Sequence, residues 1–296
     1  RSWVTIGSFD GVHLGHRSLV QRLVAGARQD NCQAVIITFD PHPAAYFKRA
    51  APSYLLSSAE EREALLCSMG VDQVITLRFD ASVANLTAEE FMQEMKEHLG
   101  LVHLVTGVDF ALGKNRGGTV DVLSQLGTQL GVTIETVPPF ELEGQVVSSS
   151  QIRTFLRTER LTEANAWLGH PYRLSGAVVH GEARGKRLGF PTANMQIAPE
   201  RLIPSDGVYV TRALVNGLAY DAVTNIGTNP TFGSELTSSQ VEPHFLDVHK
   251  DFYGQILALD FLQFLRPEIK YDNVQDLIDQ IRRDIQKTRE VLANGA

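Results

Sequence analysis

The sequence has few cysteines, no excess of positive charge and no long hydrophobic run. Its 296 residues include only two cysteines, Cys32 and Cys67, and both fall in segments of apolar periodicity. Two isolated thiols exclude a disulfide framework and a thiolate metal site. They predict buried cysteines in a reducing, cytoplasmic compartment.

The charge balance limits the partners. Acidic residues outnumber basic ones by 34 to 27, which gives a formal net charge of −7 at pH 7. Because binding to a nucleic-acid polymer needs a basic surface, this balance argues against such a partner, although local basic clusters can still hold small phosphates. No apolar run reaches the length of a membrane span, so we expect no membrane association. No feature of the sequence indicates a protein partner.

The first half of the chain alternates short apolar runs with segments of helical period. The runs are WVTIG, AVIITF, DQVITL, LVHLVTG and VTIETV. This alternation predicts a parallel, Rossmann-like α/β sheet. Two of the helices carry capping boxes, Ser58 with Glu61 and Thr87 with Glu90. In the first helix, the face expected to pack on the sheet consists of Leu19, Val20, Leu23, Val24 and Ala27.

The pattern changes after Ile152. Two short helical stretches lead to LGHPYRLSG, and strand-like runs with turn signals follow. We therefore expect one domain over 1–168 and a second, an antiparallel β-barrel, over 169–296. Within the second, Asn216-Gly217 is a strong signal for a β-hairpin. The chain ends in a predicted helix with Asn273 as its cap and an apolar stripe of Leu277, Ile278, Ile281, Ile285 and Leu292.

The segment SFDGVHLGH joins the first apolar run to the first helix. It would lie at the carboxyl end of a parallel strand, where α/β sheets bind ligands, and the N–H groups of a helix start favour phosphate. His13 and His16 flank Gly15, so both imidazoles can face one anion. The pair could instead ligate zinc, for which no third ligand of suitable spacing lies nearby, or belong to an ordinary turn.

Three segments carry a family resemblance. His13-Leu14-Gly15-His16 resembles the H-x-G-H signature of the nucleotidylyltransferase superfamily, and GSFDGVHLGHR resembles the adenylyltransferase half of bacterial bifunctional riboflavin kinase/FAD synthetases. The segments GVDFALGKNRGG (107–118) and VSSSQIR (147–153) are similar to the same family, although Ala111 stands where a larger residue is usual.

The resemblance implies an adenylyl-transfer site with His13, His16 and Arg153 as catalytic residues. Attack on the α-phosphorus of ATP passes through a charge-rich transition state, which positive charge and N–H donors stabilise. Taken alone, two of the implied residues, Ser148 and Ser149, are also ordinary helix caps. The implied nucleotide contacts are Gly7, Ser8, Phe9, Asp10, Gly15, Asn115, Ser148 and Ser149.

A flavin must lie opposite ATP in such a site. The segment TFDPHPAAYF (38–47) follows the second apolar run, and the resemblance favours isoalloxazine binding there, although proline-rich loops are usually simple turns. The implied flavin contacts are Pro41, His42, Pro43, Asp109 and Phe110.

The segment GEARGKRLGFPTAN (181–194) places three glycines and three basic residues before PTAN. Alone it is a basic surface loop, and it is not a Walker A motif. Together with VEPHFLD, about fifty residues later, it resembles the riboflavin kinase family over nearly all of residues 172–292. The loop is expected to fold over a nucleotide, with TNIGTNPTFG (224–233) as a mobile lid. The implied nucleotide contacts in the loop are Gly181, Gly185, Lys186 and Gly189.

The same resemblance implies the chemistry of the second site. Thr192 and Asn194 match positions that hold Mg²⁺ and the ATP phosphates, and oxygen ligands suit that ion. Glu242 matches the carboxylate that takes the proton of the ribityl 5′-hydroxyl, although a strand carboxylate can equally face solvent. Arg266 is expected to contact flavin or phosphate, or to cap the barrel.

The sequence therefore predicts a bifunctional enzyme. Its C-terminal barrel would phosphorylate riboflavin with ATP to give FMN. Its N-terminal domain would join FMN to the AMP part of ATP, giving FAD and pyrophosphate. One alternative is a single-activity enzyme with a decayed half, which the two intact motif sets disfavour. Another is a non-catalytic flavin-binding protein, which would require neither Glu242 nor the histidine pair.

Overall fold

A computed structural model describes residues 1–49, 53–180, 185, 188–229, 238–248 and 250–294. The chain forms two units. The first comprises Arg1–Ala51 and Ser57–Ser149, and the second comprises Pro52–Leu56 and Ser150–Ala296. No helix in the described ranges is both long enough and apolar enough to cross a membrane.

The first unit is built on a five-stranded parallel sheet. Its strands, in the spatial order β3-β2-β1-β4-β7, are β1 (Ser2–Ile6), β2 (Gln33–Asp40), β3 (Gln73–Arg78), β4 (Leu101–Gly107) and β7 (Thr133–Val137). Each predicted apolar run forms one of them, so the Rossmann-like architecture is confirmed. Two short hairpins lie outside the sheet, β5 (Ala111–Leu112) with β6 (Gly118–Thr119), and β8 (Glu141–Leu142) with β9 (Gln145–Val146).

Helices cover both faces of this sheet. They are α1 (Leu14–Gln29), α2 (Pro43–Tyr46), α3 (Ala59–Cys67), α4 (Ala81–Asn85), α5 (Ala88–Leu99) and α6 (Val120–Leu130). Residues of α1 and α3 form one core with the sheet, and residues of α5 and α6 form another on the opposite face. Both predicted capping boxes, at Ser58 and Thr87, are confirmed. In the predicted face of α1, Val20, Leu23 and Ala27 are buried, whereas Leu19 and Val24 are half-buried.

The contact between α1 and β1 depends on a glycine. A Cβ atom built on Gly26 would lie 2.1 to 2.6 Å from atoms of the Trp3 indole. That indole is fixed on its other sides, because it stacks on His103 at 4.0 Å and its Nε1 donates to Asp30 at 3.0 Å. The glycine therefore sets how closely the helix approaches the strand.

Replacing Gly26 by Ala is accordingly expected to destabilise the first unit by about 1–3 kcal/mol through overpacking, despite the higher helix propensity of alanine. Thermal unfolding measures this as a lower melting temperature. Ala25→Leu, on the exposed side of the same helix, is the control that should leave the melting temperature nearly unchanged. An unchanged melting temperature for Gly26→Ala would contradict the close packing.

Two helices precede a closed barrel in the second part of the chain. The helices are α7 (Ser149–Arg157) and α8 (Leu161–Leu168), and the barrel strands are β10 (Tyr172–Val179), β11 (Asn194–Ile197), β12 (Gly207–Val215), β13 (Leu218–Asn229), β14 (Ser238–Phe245) and β15 (Ile256–Arg266). The barrel closes in the order β10-β11-β14-β13-β12-β15, with antiparallel pairs throughout. The antiparallel barrel is confirmed. Asn165 of α8 ties the helix to it, bonding both Phe261 and Tyr172 at 2.8 Å.

The predicted hairpin joins β12 to β13. Asn216 and Gly217 both have positive φ, 50° and 79°, as a two-residue hairpin turn between twisted strands requires. The C-terminal helix (Val274–Ala293) begins at the predicted cap, where Asn273 accepts from the Asp276 N–H at 2.9 Å. Two residues of its predicted stripe, Ile285 and Leu292, pack against the barrel core.

One cysteine differs from the prediction. Both thiols are free, as expected, but only Cys32 is buried, and Cys67 is exposed. Cys67 is the last residue of α3 and lies on its exposed side with Glu60, Glu63 and Ala64, whereas the adjacent Leu66 is buried.

Candidate functional site

A cavity of about 900 Å³ opens at the carboxyl ends of β1 and β4. The strand order reverses between these two strands, because β2 and β3 lie on one side of β1 while β4 and β7 lie on the other. Such a reversal separates the loops that follow the two strands and leaves a crevice for ligands. The loop after β1 and the loop after β4 both line the cavity.

The two histidines of the first loop lie together at the start of α1. Nδ1 of His13 accepts a hydrogen bond from the His16 backbone N–H at 3.3 Å, so His13 is the N-cap of the helix and its ring proton is assigned to Nε2. The two rings stack with centroids 3.6 Å apart. A Cβ atom at Gly15 would lie 3.2 Å from the His13 ring, so glycine keeps this arrangement uncrowded.

The backbone of the first loop is strained. Phe9 and Val12 have φ of 47° and 41°, in the region that favours glycine, and Val12 is β-branched. Asp10 lies between them and is buried, with its carboxylate accepting from the Ser57 N–H at 3.0 Å. The Gly11 N–H donates to the Ser57 hydroxyl at 3.0 Å. These two bonds to Ser57 hold the strained loop against the segment that precedes α3.

A buried arginine lies in the same region. The Arg62 side chain donates from its guanidinium to the Phe39 carbonyl at 3.0 Å. Burial lowers the pKa of Arg62, while the negative charges of Asp10 and Asp40 act in the opposite direction. The loops after β1 and β2 thus have a buried cation near their acidic residues.

The loop after β4 brings cationic and amide side chains to the cavity. Gly113 has φ 78° and ψ −178°, and a Cβ there would lie 2.6 Å from the Ala88 nitrogen, so only glycine fits. Asn115 and Arg116 follow with positive φ, and both line the cavity. The Arg116 guanidinium donates to the Asp109 carbonyl at 3.2 Å, which closes the loop on itself.

An aromatic group forms the apolar part of the cavity. Phe39 and Phe47 each pack edge-on against Phe79, with centroids 5.3 and 5.8 Å apart, and all three line the cavity. His42, in the proline-containing turn, also lines it, and its Nδ1 caps α2 by accepting from the Ala44 N–H at 3.0 Å. Flat apolar walls of this kind suit a planar aromatic ligand.

Most residues predicted for the first site line this cavity. They are Gly7, Ser8, Phe9, His13, Gly15, His16, His42, Pro43, Asp109, Phe110 and Asn115. Asp10, Pro41, Ser148 and Ser149 do not line it, and the Ser149 hydroxyl donates to the Asp10 carbonyl at 3.1 Å. Arg153 belongs to the second unit, where its guanidinium lies over the Tyr54 ring at 3.6 Å and its Nε donates to the Tyr54 carbonyl at 2.8 Å.

The barrel carries a smaller cavity of about 240 Å³ between its sheet and the C-terminal helix. Thr192 and Glu242 both line it. His244 and Pro243 hold the PTAN segment beside β14, because the His244 ring bonds the Pro191 carbonyl at 2.8 Å and the Ala193 N–H donates to the Pro243 carbonyl at 2.9 Å. The predicted phosphate-side residue and the predicted base therefore face one space.

Gly185 lies close to Phe190 and Thr192. Its carbonyl accepts from the Phe190 N–H at 2.9 Å. A Cβ atom at Gly185 would lie 2.4 Å from the Phe190 carbonyl oxygen and 3.4 Å from the Thr192 hydroxyl. Gly189 is exposed with φ 88°, and Asn194 begins β11 without lining the cavity. The predicted residues Gly181 and Lys186 lie outside the described residues, as do residues 230–233 of the predicted lid. The first part of that lid, residues 224–229, is instead the end of strand β13 and pairs with β14, so the prediction of a mobile lid is wrong for these residues.

Arg266 enters the cavity in a fixed orientation. Its Nε and Nη2 donate to the Asp284 carboxylate of the C-terminal helix, at 3.1 and 2.7 Å. Gln280 adds a bond to the same carboxylate at 2.9 Å. Side chains of Asp284 and Arg266 are only 9% and 18% exposed, so solvent screens this pair weakly. The ion pair orients the arginine and fastens the helix that forms one wall of the cavity.

Replacing Asp284 by Asn is expected to destabilise the barrel by about 1–3 kcal/mol, since one bond to a charged group is lost and the arginine keeps an unmatched charge. The riboflavin affinity that the family resemblance predicts for this cavity should fall as well. Thermal unfolding and flavin fluorescence titration measure the two effects. Asp279→Asn, an exposed ion-pair partner on the same helix, is the control expected to change neither. Equal behaviour of the two variants would contradict the orienting role.

Three residues that the sequence analysis did not identify line these cavities: Arg116, Asn225 and Asp284. A loop with positive φ brings Arg116 to its cavity. The register of β13 places Asn225, and docking of the C-terminal helix places Asp284. Among the described residues, no cluster of three or more His, Cys, Asp or Glu side chains is placed to hold a metal ion. The histidine pair thus lacks the further ligands that a zinc site would need.

Two family models match different parts of this chain. Residues 1–151 match the FAD synthetase family model, and residues 168–292 match the riboflavin kinase model. The chain is 35% identical over 293 residues to the bifunctional riboflavin kinase/FMN adenylyltransferase of Listeria monocytogenes, across 98% of this chain and 92% of that protein. This chain belongs to the bifunctional riboflavin kinase/FMN adenylyltransferase family. The relative from Escherichia coli K12 is 36% identical over 289 residues, across 97% and 91% of the two chains.

As a riboflavin kinase/FMN adenylyltransferase, the chain is an enzyme whose substrates are riboflavin, FMN and ATP. Matches to both family models leave no reason to favour a single-activity enzyme with a decayed half. A crystal structure of a Streptococcus pneumoniae protein named as a macrolide-efflux protein has a TM-score of 0.88 and 32% identity, covering 97% of this chain and 93% of that one. That likeness shows the shared fold, and the name describes only the other protein.

Proposed function

We propose that the cavity at the ends of β1 and β4 performs adenylyl transfer and that the barrel cavity performs riboflavin phosphorylation. The observation that carries this assignment is the separate grouping of the predicted residues. The histidine pair lines the first cavity, and Thr192 and Glu242 line the second. We keep the domain boundary at 168/169 as part of this proposal; the match to the riboflavin kinase model begins at residue 168, whereas the second compact unit already includes residues from Ser150 onward.

In the first cavity, a phosphate oxygen of FMN attacks the α-phosphorus of ATP, and the bond to the β-phosphate breaks to release pyrophosphate. His13 and His16 lie at the N-terminus of α1, whose first turn has no acidic residue. Imidazole N–H groups and the helix dipole there favour the developing negative charge. The aromatic walls formed by Phe39, Phe47 and Phe79 would hold the flavin ring. Asn115 supplies a further donor toward the nucleotide.

In the barrel cavity, the ribityl 5′-hydroxyl attacks the γ-phosphorus of ATP, and ADP leaves. Glu242 is half-buried and lines the cavity beside Thr192, so its carboxylate is the group available to take the hydroxyl proton. Arg266, held by Asp284, is aimed at the flavin end. The implied roles of Arg153, Ser148 and Ser149 in nucleotide binding remain part of this proposal.

The donor set of the barrel fits Mg²⁺. Thr192 offers a hydroxyl and Asn194, two residues later, an amide oxygen, and Mg²⁺ prefers oxygen ligands with several positions left to phosphates and water. When bound, the ion would neutralise charge on the phosphates of ATP. Two neutral protein oxygens suit an ion that arrives with its nucleotide. We place the enzyme in the cytoplasm, because both of its cysteines are free thiols.

The test is product analysis with the full-length chain. Incubation with riboflavin, ATP and MgCl₂ should give FMN and then FAD, and incubation with FMN and ATP should give FAD and pyrophosphate. Chromatography separates the flavins, and EDTA should stop both reactions. Flavin binding without any product would favour the non-catalytic flavin-binding alternative instead.

A further inference from the structure

Four side chains of the barrel stand in one row across four strands. Arg266 of β15 is the register partner of Val208 in β12. Val208 is the partner of Asn225 in β13, and Asn225 is the partner of Glu242 in β14. All four line the barrel cavity. Register partners in antiparallel strands point to the same face, so the row runs straight across the floor of the cavity.

The chemical character of the four side chains changes along the row. At one end stands the guanidinium of Arg266, and at the other stands the carboxylate of Glu242. Between them, Val208 is the apolar member, with Leu277 and Ile281 of the C-terminal helix on the same cavity. Asn225 lies between this apolar part and the carboxylate, and it is the one uncharged polar side chain in the row.

Riboflavin has the same chemical order: a flat ring with carbonyl groups, a polyol chain and a terminal hydroxyl. Neighbouring strands are about 4.8 Å apart, so Asn225 lies about 4.8 Å from Glu242 along the row. With the terminal hydroxyl at Glu242 and the ring against the apolar part, the polyol chain crosses Asn225. An amide both donates and accepts, which matches hydroxyl groups that do the same.

A glycine and a carboxylate lie next to the Asn225 amide. Gly227 follows two residues later on the same strand and face, and a Cβ atom there would lie 3.3 Å from Nδ2 of Asn225. The same Cβ would lie 2.6 Å from Oε1 of Glu268, which also lines the cavity. Glycine at 227 therefore lets the Glu268 carboxylate approach β13 beside the Asn225 amide, so the amide lies in a polar part of the cavity.

We propose that Asn225 is a specificity residue that hydrogen-bonds the polyol chain of the flavin and so aligns its terminal hydroxyl with Glu242. This proposal rests on the proposed kinase function of the barrel cavity. In this proposal, Asn225 discriminates between flavins that differ in the polyol chain, and the apolar residues of the cavity hold the ring.

The experiment uses the full-length protein and measures formation of the 5′-phosphorylated flavin. The substrates are riboflavin and deoxyriboflavins that each lack one of the other chain hydroxyls. The wild-type chain should show lower kcat/KM for the analogue that lacks the contacted hydroxyl, by about tenfold for a lost hydrogen bond. Asn225→Ala should lower kcat/KM for riboflavin by a similar factor and should no longer distinguish that analogue from riboflavin. Asn225→Ser, which keeps a shorter hydroxyl, should discriminate to an intermediate degree.

Gln196→Ala removes an exposed amide from strand β11, which β14 separates from β13, and is the control expected to keep wild-type discrimination. Binding of lumiflavin, which has the ring without the polyol, should be the same for wild type and Asn225→Ala. A uniform loss for riboflavin and every analogue, or discrimination that survives in both Asn225 variants, would overturn the proposal. If the wild-type chain makes no FMN at all, the failure lies with the proposed function and is thereby distinguished.

Discussion

Glu242→Gln is expected to lower riboflavin phosphorylation by about 10²–10⁴, equivalent to about 3–5 kcal/mol of barrier. Glutamine keeps the size of the side chain and one acceptor oxygen but cannot take a proton. Because Glu242 lines the barrel cavity with Thr192, the substrate should still bind with similar affinity. Steady-state FMN formation and a riboflavin fluorescence titration on the same preparation measure both effects.

Two controls accompany this variant. FAD synthesis from supplied FMN should persist, because the residues assigned to it line the other cavity. Glu268→Gln changes an exposed carboxylate that lines the same barrel cavity and should lose much less phosphorylation. Near-normal phosphorylation by Glu242→Gln would remove Glu242 from the mechanism and make it a solvated strand residue.

His16→Ala should lower FAD formation by about 10²–10³, while FMN formation from riboflavin stays near the wild-type rate. The reason is the loss of an imidazole at the N-terminus of α1, where charge develops on the reacting phosphates. His16 is a cleaner choice than His13, whose Nδ1 caps the helix and whose removal would also cost about 0.5–2 kcal/mol of stability. Separate assays with FMN and with riboflavin as substrate measure the two rates.

The matched control is Gln21→Ala, an exposed position on the same helix. It should leave both rates unchanged and show that helix composition alone has no effect. If His16→Ala reduced both activities equally, the result would point to general destabilisation and contradict the assignment of this imidazole to adenylyl transfer.

Local features of the fold were predictable because their causes lie within a few residues of sequence. The capping boxes at Ser58 and Thr87 satisfy N–H groups three residues away. The Asn216-Gly217 turn needs two residues that tolerate positive φ. The histidine pair was identified for a similar reason, since strand, loop and helix start are contiguous.

Other features depend on pairings that a single sequence does not display. Asn225 faces Glu242 only through the register of β13 and β14, and Asp284 reaches Arg266 only through docking of the C-terminal helix. For Asp10, the sequence suggests a role that its position in the fold does not match. Its position in the first loop suggests a nucleotide contact, whereas the fold buries it and directs its carboxylate to the Ser57 N–H. Cys67 lies in an apolar-periodic segment and is nonetheless exposed, because it falls on the solvent-facing side of α3 with Glu60, Glu63 and Ala64.

The row across the barrel also limits how this chain can change length during evolution. One residue inserted in β13 between the hairpin and Asn225 would turn Asn225 to the opposite face and place a different side chain beside Glu242. An insertion at the Asn216-Gly217 tip leaves the pairing of both strands intact. Natural length variants are therefore expected at that tip and not within β12, β13 or β14, even where the inserted residue is itself a good strand former.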